Sequence, residues 1–220
     1  MGDLDFASLI DYVPALLRGL GVTCQIAVLA LLFGMTFGLV VAIARSARFR
    51  VLQVLSGAYV ELFRSTPLLA QLLWVYFVLP ALIGIDLTGF EAGVLTLGMN
   101  TAAYTAEIYR SGIQSIPVGQ RDAAFVLGLS RITVFRRIVL PQAVRIVLPP
   151  LTANVMLVMK GTAYLSIISV SELTYVGGLV SSETFRFLEV FLVIALIYFV
   201  LIYPVGRLAG RLERRLVLPA

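Results

Sequence analysis

Charged residues are scarce in this 220-residue chain: they make up 13% of the sequence, whereas 60% of the residues are hydrophobic. A soluble domain usually carries about 25% charged residues, so this composition leaves too few polar groups to cover a surface that faces water. We therefore expect an integral membrane protein in a lipid bilayer. A soluble enzyme or a nucleic-acid-binding protein is not expected, despite the net charge of +5.

Cysteine, histidine and lysine are nearly absent. Cys24 is the only cysteine and there is no histidine, which excludes an intrachain disulfide, a cluster of soft metal ligands and a Ser-His-Asp triad. Lys160 is the only lysine, and the phosphate-binding pattern G-x-x-x-x-G-K-[ST] does not occur. We expect no catalytic residue, no metal and no cofactor on this chain. This chain is therefore not expected to bind a nucleotide by that route.

Long apolar segments, in contrast, are abundant. A helix that crosses a membrane needs roughly 20 mostly apolar residues. The sequence predicts a single all-α domain over residues 1–220 with about five transmembrane helices. Their approximate ranges are 19–44, 52–85, 90–113, 138–160 and 188–208.

Positive charge is concentrated in three segments of the chain. These segments contain Arg45, Arg48 and Arg50; Arg110, Arg121, Arg131, Arg136, Arg137 and Arg145; and Arg207, Arg211, Arg214 and Arg215. The segments that alternate with them carry mainly acidic residues: Asp3, Asp5, Asp11, Asp86, Glu91, Glu183 and Glu189. Because cytoplasmic loops retain arginine and lysine, this pattern predicts that the N-terminus lies outside and the C-terminus inside.

The segment from about residue 116 to 138 has the pattern of a two-helix elbow. Pro117 and Gly119 open it, the following residues have a helix-forming composition, and Gly128 interrupts them. Ser130 can then cap a second short helix with its hydroxyl. On the residues alone, a basic amphipathic loop that rests on anionic lipid explains the pattern equally well.

Ionisable residues within the apolar segments are costly at bilayer depth and are usually functional. Glu61 and Arg64 are three residues apart, so they can pair on a helix. Thr66 and Pro67 follow, and the proline breaks the ladder of backbone hydrogen bonds. We expect these four residues to form a bend or a gate, either as a buried brace or as part of a substrate path.

A second polar group surrounds two single charges. Asn100, Tyr104 and Glu107 fall on one helical face, and Lys160 is followed by Gly161, Thr162 and Ser166. One carboxylate and one ammonium group suit the two charged ends of a zwitterion. The candidate substrate-binding residues are Asn100, Tyr104, Glu107, Lys160, Thr162 and Ser166. Two alternatives stay open: Glu107 and Lys160 pair with each other, or Glu107 reaches the cytoplasmic interface.

Several segments together resemble the permeases of polar amino acid ABC importers. Asp-Ala-Ala at residues 122–124, Gly128, and Ile-x-Leu-Pro ending at Pro141 are similar to the EAA loop of that family, with Asp122 where the family usually has glutamate. ELFRSTPLL (61–69), AAYTAEIYRSGIQSIPVGQ (102–120) and VLPQAVRIVLPPL (139–151) are similar to permeases of the histidine, glutamine, arginine and opine type. The resemblance covers roughly residues 20–210.

The resemblance implies the type I importer permease fold and a place in the bacterial cytoplasmic (inner) membrane. The chain would move a polar amino acid or related small zwitterion inward, as a homodimer or as a heterodimer with a similar permease. Two cytoplasmic ATPase subunits, which bind ATP and Mg²⁺, would dock on the elbow, and an extracytoplasmic binding protein would deliver substrate. The residues implied in coupling are Gly119, Gln120, Asp122, Ala123, Ala124, Gly128 and Arg131.

Two questions remain at this stage. The alternative function is an ion-coupled secondary carrier or channel for small solutes, although such folds usually have more helices and internal repeats. The resembled family also commonly shows Lys-Asp-Thr-Ser-Leu where residues 160–164 read Lys-Gly-Thr-Ala-Tyr. The missing aspartate either disfavours a strongly cationic substrate or is compensated by a second permease subunit.

Overall fold

The structure is a computed structural model that describes residues 5–216, with side chains described as far as Arg211. After a 3₁₀ turn at Ala7–Tyr12, these residues form eight helices and no strand. The helices are α1 (Val13–Arg45), α2 (Arg50–Ser65), α3 (Leu68–Ile83), α4 (Gly89–Gln114), α5 (Val118–Val126), α6 (Arg131–Ile168), α7 (Leu173–Thr184) and α8 (Phe187–Leu216). The predicted all-α class is confirmed. Asp3 and the side chains of Arg214 and Arg215, which contributed to the charge pattern, lie outside the described residues.

Several of these helices have the length and composition of membrane spans. Within residues 5–216, Ala7–Arg45, Arg131–Ile168 and Phe187–Arg211 each qualify, and the bent pair α2–α3 can form a fourth span. Helix α4 coincides with the predicted span 90–113 and is long enough, but its many small and polar residues make it less apolar. The count of five spans stays a prediction.

Close contact between α1 and α4 forms the centre of the bundle. Gly34 and Gly38 on α1 face Thr101 and Thr105 on α4, and a Cβ atom at Gly38 would lie only 2.0 Å from Oγ1 of Thr105. The Thr105 hydroxyl donates a hydrogen bond to the Gly34 carbonyl oxygen at 2.9 Å. Small residues at a membrane helix interface allow this approach, so α1 fixes the position of α4 and of the polar residues that α4 carries.

Helices α2 and α3 meet at a sharp bend. Their axes differ by 111°, and Thr66 and Pro67 between them have extended backbone conformations. Proline has no N–H to continue the helical ladder, so the chain leaves α2 there and starts α3 in a new direction. The predicted break at Thr66-Pro67 is confirmed.

The elbow also has the predicted helix–glycine–helix form. Helix α5 is followed by Gly128 with φ of +77°, and the Ser130 hydroxyl accepts a hydrogen bond from the backbone N–H of Thr133 at 3.3 Å, which caps α6. The second arm, however, is not a separate short helix as predicted. A π turn at Phe135–Val139 precedes Pro141, and the helix continues across the proline to Ile168.

A buried carboxylate starts helix α7. The Glu172 side chain is fully buried and accepts hydrogen bonds from the backbone N–H groups of Thr174 (2.9 Å) and Tyr175 (2.7 Å). The Tyr198 hydroxyl donates a third hydrogen bond at 3.2 Å and ties α8 to this cap. Burial raises the pKa of the Glu172 carboxyl, while the two backbone donors lower it.

Candidate functional site

The side chain of Gln71 braces the bend between α2 and α3. Its Nε2 donates hydrogen bonds to the carbonyl oxygens of Phe63 (2.8 Å) and Thr66 (3.1 Å) and to Oγ1 of Thr66 (2.8 Å). These carbonyl groups belong to the last turn of α2 and have no partner further along that helix. The sequence analysis missed Gln71. The sequence does contain an indication of its role, because Gln71 is the one polar residue in the apolar run Leu68–Leu73 directly after Pro67.

Asn100 on α4 extends this brace. Its Nδ2 donates to Oε1 of Gln71 at 3.0 Å and to the Phe63 carbonyl oxygen at 3.3 Å. Carbonyl oxygens only accept, so the Gln71 atom that faces Phe63 and Thr66 must be Nε2, and Oε1 is left to accept from Asn100. The amide nitrogen of Asn100 is therefore committed to the bend. Its Oδ1 makes no hydrogen bond within the described part of the chain.

The bend, α4 and α6 enclose a cavity of about 610 Å³. The bend contributes Thr66, α4 contributes Asn100 and Tyr104, and α6 contributes a further set of polar side chains: Asn154, Lys160 and Tyr164. The structure thus brings three of the predicted substrate-binding residues, Asn100, Tyr104 and Lys160, to the wall of one cavity. The cavity can offer both a hydrogen-bond acceptor and a positive charge to a ligand.

Lys160 supplies the positive charge. Its side chain is exposed, and it makes no ion pair with any residue whose side chain the structure describes. It also lines a second cavity of about 580 Å³ between α6 and α8, which includes Tyr198 and Tyr203. The ammonium group is therefore available to a ligand on either side of α6.

Glu107 does not lie at this cavity, contrary to the predicted site. Its carboxylate forms ion pairs with Arg45 at the end of α1 and with Arg110 on α4, whose Nε lies 3.1 Å from Oε2 of Glu107. Two guanidinium groups within contact distance satisfy the carboxylate, so Glu107 neither faces a ligand opposite Lys160, as predicted, nor pairs with Lys160, as in the first alternative. The geometry fits the second alternative, in which Glu107 lies towards the membrane interface, because Arg45 and Arg110 lie near the C-terminal ends of α1 and α4.

Two predicted hydroxyl groups also point elsewhere. Thr162 donates to the Met159 carbonyl oxygen at 2.8 Å, and Ser166 donates to that of Ala163 at 2.7 Å. Both hydroxyls therefore bond to their own helix, and neither residue lines the 610 Å³ cavity. The structure does not bring them to Asn100 and Tyr104.

Glu61 and Arg64 do not form the expected pair. The guanidinium carbon of Arg64 lies 5.6 Å from the centroid of the Tyr104 ring, and Glu61 instead accepts a hydrogen bond from the Ser65 hydroxyl at 3.3 Å. A cation over an aromatic ring is attracted to its negative face. Arg64 therefore gives the bend a second link to α4, beside the link through Gln71.

Asn154 is a cavity residue that the sequence analysis missed. It is 5% exposed, and its Nδ2 has no hydrogen-bond partner. The residue follows Pro149 and Pro150 within an otherwise apolar helical segment. The sequence could have indicated this role, because a single amide among apolar residues needs a hydrogen-bond partner.

The elbow presents a different kind of surface. Among the predicted coupling residues, Gly119, Gln120, Asp122, Ala123, Gly128 and Arg131 are exposed, whereas Ala124 is buried with Ile116, Val134, Val139 and Ala143. Val126 and Leu127 at the end of α5 are 87% and 79% exposed. The buried cluster fixes the angle of the elbow, and its exposed side combines the Asp122 carboxylate with apolar residues.

A bundle with a sharply broken helix pair, a polar cavity beside the break and a protruding elbow defines a helical membrane permease subunit. Residues 34–218 match the family of inner membrane components of binding-protein-dependent transport systems, and the chain belongs to that family. The permease fold and recognition predicted from the sequence are confirmed.

Individual relatives support the same class. The chain is 33% identical over 214 residues to the arginine transport system permease protein ArtQ of Bacillus subtilis, covering 97% of this chain and 98% of ArtQ. It is 34% identical over 213 residues to the glutamine transport system permease protein GlnP of Escherichia coli K12, covering 96% of this chain and 97% of GlnP.

Solved structures show the same fold. An amino acid ABC transporter crystallised with histidines superposes with a TM-score of 0.91 at 34% identity, covering 97% of this chain and 100% of the other. The methionine transporter MetNI in an inward-facing conformation superposes with a TM-score of 0.79 at 20% identity, covering 95% and 99%. The comparisons give no support to the alternative of an ion-coupled carrier or channel.

Proposed function

We propose that this chain is the transmembrane subunit of an ATP-driven importer that moves a polar amino acid or related small zwitterion into the bacterial cytoplasm. Its relatives are named for arginine and glutamine transport, and a structural neighbour is an amino acid ABC transporter. These names support an amino acid as substrate without choosing among side chains.

The observation that carries the proposal is the complementary polarity of the 610 Å³ cavity. The Lys160 ammonium is unpaired and suits a substrate carboxylate, while Oδ1 of Asn100 is an unused acceptor that suits a substrate ammonium. Charge-assisted hydrogen bonds of this kind are the stronger ones. Asn100, Tyr104 and Lys160 are thus the substrate-binding residues that we propose; Glu107, Thr162 and Ser166 are left out because their polar groups bond elsewhere.

The elbow is the surface that we propose for the ATPase. Its exposed apolar residues at Val126 and Leu127 lie beside the Asp122 carboxylate, a combination typical of a protein-binding surface. ATP and Mg²⁺ would bind on that partner. The chain itself has no phosphate-binding loop.

The remaining partners follow from the polarity of the bundle. Acidic residues gather where Asp5 pairs with Arg186 at 3.0 Å, whereas Arg45 and Arg110 mark the other end. The positive-inside rule supports an elbow and a C-terminus in the cytoplasm and an N-terminus outside. A binding protein would deliver substrate to the outer end, and two permease subunits, identical or similar, would together carry two ATPase subunits.

Reconstitution into vesicles tests this function. Uptake of radiolabelled amino acids would be compared among three preparations: the permease alone, the permease with its ATPase, and both of these with the binding protein. We expect uptake only when all three components are present and ATP is supplied on the side of the membrane where the elbow lies. Uptake by the permease alone, driven by an ion gradient, would contradict the proposal and favour a secondary carrier.

A further inference from the structure

The groove between α6 and α8 is a cavity of about 580 Å³ outside the proposed substrate site. Met156 and Lys160 form its wall on α6, and side chains within residues 195–210 of α8 form the opposite wall. Phe199 is 58% exposed and Tyr203 is 47% exposed, so the groove opens to the outside of the bundle rather than into its core. In a membrane, the molecules that surround the bundle are lipids.

Three side chains form a stacked column along the α8 wall. Phe199 and Tyr203 stack with their ring centroids 5.0 Å apart, and the guanidinium carbon of Arg207 lies 5.3 Å from the Tyr203 centroid. A planar guanidinium over a ring keeps its N–H donors in its own plane, where they can still bond to an anion. Arg207 makes no ion pair with any residue whose side chain the structure describes. Its donors are therefore positioned by the ring and available to a ligand.

The charge of the groove is positive. Arg207 and Lys160 line it, and the described lining residues include no aspartate or glutamate. Arg211 follows Arg207 by one helical turn, so it lies on the same face of α8, and its side chain is exposed. Guanidinium groups bind phosphate through pairs of parallel hydrogen bonds, and basic pockets between transmembrane helices at the cytoplasmic end bind the head groups of anionic lipids. An anionic head group is therefore the ligand that fits this charge.

Arg207 lies at the depth of the lipid head groups. The part of α8 between Phe187 and Arg207 is about 30 Å long at 1.5 Å per residue, which equals the usual thickness of the hydrocarbon core. Phe187 marks the acidic end of the bundle, because the preceding Arg186 pairs with Asp5 at 3.0 Å. Arg207 therefore reaches the opposite boundary of the bilayer, at the arginine-rich end.

The apolar part of the groove extends from Arg207 toward the middle of the bilayer. Ala195, Phe199 and Ile202 precede Arg207 on α8 and line the groove. They lie on the side of Arg207 that faces the hydrocarbon core, because α8 runs from the acidic end to the arginine-rich end. The groove thus combines a charged end at head-group depth with an apolar wall at the depth of the acyl chains.

Lys160 lies deeper than Arg207. A Cβ atom at Gly206 would lie 3.2 Å from Sδ of Met156, which places these two residues at the same level. Lys160 is one helical turn beyond Met156 on α6, about 6 Å further toward the acidic end. The anion site in the groove therefore rests on Arg207, and Lys160 stays available to the substrate on the other side of α6.

We propose that this groove binds an anionic phospholipid from the leaflet at the arginine-rich end of the bundle. The phosphate accepts hydrogen bonds from Arg207, and one acyl chain packs against Ala195, Phe199 and Ile202. Head group and chain then have the same order as in the surrounding bilayer, so the lipid enters from the side without turning over. In the proposed orientation this is the cytoplasmic leaflet, and the lipid site is separate from the substrate site.

Native mass spectrometry of the purified permease–ATPase complex tests the lipid site. The complex is titrated with phosphatidylglycerol, which is anionic, or with phosphatidylcholine of the same acyl chains, which has no net charge. We expect phosphatidylglycerol to bind about tenfold more tightly, the difference expected from one charge-assisted contact. Equal affinities for the two lipids would overturn the proposal.

Two variants address the two ends of the lipid. Arg207→Gln should lower the affinity for phosphatidylglycerol about tenfold, to that for phosphatidylcholine. Arg48→Gln, which removes an exposed arginine between α1 and α2, should leave it unchanged. Ala195→Phe fills the apolar part of the groove and should weaken the binding of both lipids, whereas Ala58→Phe, at an exposed alanine of α2, should not.

Other occupants of the groove would give different results. A free phosphate ion would depend on Arg207 but not on Ala195, so unchanged lipid affinity in Ala195→Phe would contradict the lipid site. If a second copy of this chain covers the groove, Arg207→Gln and Ala195→Phe should separate the permease subunits in light-scattering measurements, and that result would also overturn the proposal. If Arg207→Gln does not assemble, the comparison of the two lipids and the Ala195→Phe variant decide.

Discussion

Oε1 of Gln71 accepts a hydrogen bond from Nδ2 of Asn100 at 3.0 Å, and this contact joins the broken helix pair to the wall of the cavity. The same Gln71 side chain holds the carbonyl groups of Phe63 and Thr66. A movement of the bend therefore changes the orientation of the Asn100 amide. Because Asn100 lines the cavity, the shape of the cavity depends on the angle between α2 and α3.

Replacing Gln71 with leucine tests this link. The change keeps an apolar side chain in the site but removes the Gln71 donor from the Thr66 carbonyl oxygen and leaves the Phe63 carbonyl oxygen with Asn100 alone. Each lost hydrogen bond costs about 0.5–1.5 kcal/mol. We expect a lower unfolding temperature in detergent and weaker substrate binding, because Asn100 loses the partner that orients it. Gln25→Leu, at an exposed glutamine of α1, is the matched control. Normal stability and normal affinity in Gln71→Leu would show that the brace does not matter.

Gly128 tests the coupling role of the elbow. Its φ of +77° lies in the left-handed region, where a residue with a side chain costs roughly 1–2 kcal/mol, so Gly128→Leu should alter the turn between α5 and α6. We expect the variant either to bind its ATPase poorly or to hydrolyse ATP without transport. Gly57→Leu, at a helical glycine with open space around it, controls for added bulk. Full transport with normal ATPase stimulation in Gly128→Leu would exclude the coupling role.

The next prediction separates Glu107 from Lys160. Lys160→Met should weaken transport at limiting substrate roughly ten- to a hundredfold, since a charge-assisted contact contributes about 1.5–3 kcal/mol. Glu107→Gln should leave substrate affinity unchanged and lower stability by about 1 kcal/mol or less, because its ion pairs are partly exposed.

The double variant Glu107→Gln/Lys160→Met should show the sum of the two effects, as expected for residues that share no partner. Radioligand affinity and unfolding temperature are measured for all three proteins. Recovery of function or of stability in the double variant would instead reveal an ion pair between the two residues.

Glu172 gives a prediction about stability. Its carboxylate caps α7 and accepts from Tyr198, so Glu172→Ala should destabilise the protein by about 1–2 kcal/mol and loosen the contact between α7 and α8. Differential scanning fluorimetry in detergent measures the shift. Glu183→Ala at the far end of α7, which carries no such cap, is the control; equal unfolding temperatures for the two variants would contradict the capping role.

Much of the fold could be predicted because it follows from local chemistry. Pro67 follows Thr66, whose backbone is extended, and the new helix starts directly after the proline. Gly128 with Ser130 specifies the turn of the elbow. Charge patterning likewise separated the two ends of the bundle. The continuous helix across Pro141 was missed, because a π turn accommodates the proline and leaves no mark in the sequence pattern.

The site was harder to predict, since it depends on which helices meet. Spacing alone placed Asn100, Tyr104 and Glu107 on one face, but α4 is long enough for Glu107 to reach the arginine at the end of α1. Gln71 and Asn154 are uncharged and lie in apolar segments, so the sequence alone did not single them out. The structure shows that Gln71 contacts carbonyl groups of α2 and that Asn154 lines the cavity.

A structure of the complete transporter with a bound amino acid tests most directly whether the cavity beside the bend is the substrate site. We predict ligand density between α4 and α6, with the carboxylate at Nζ of Lys160 and the ammonium at Oδ1 of Asn100. Ligand density in the separate cavity between α6 and α8, beside Tyr198 and Tyr203, with none at Asn100, would contradict it.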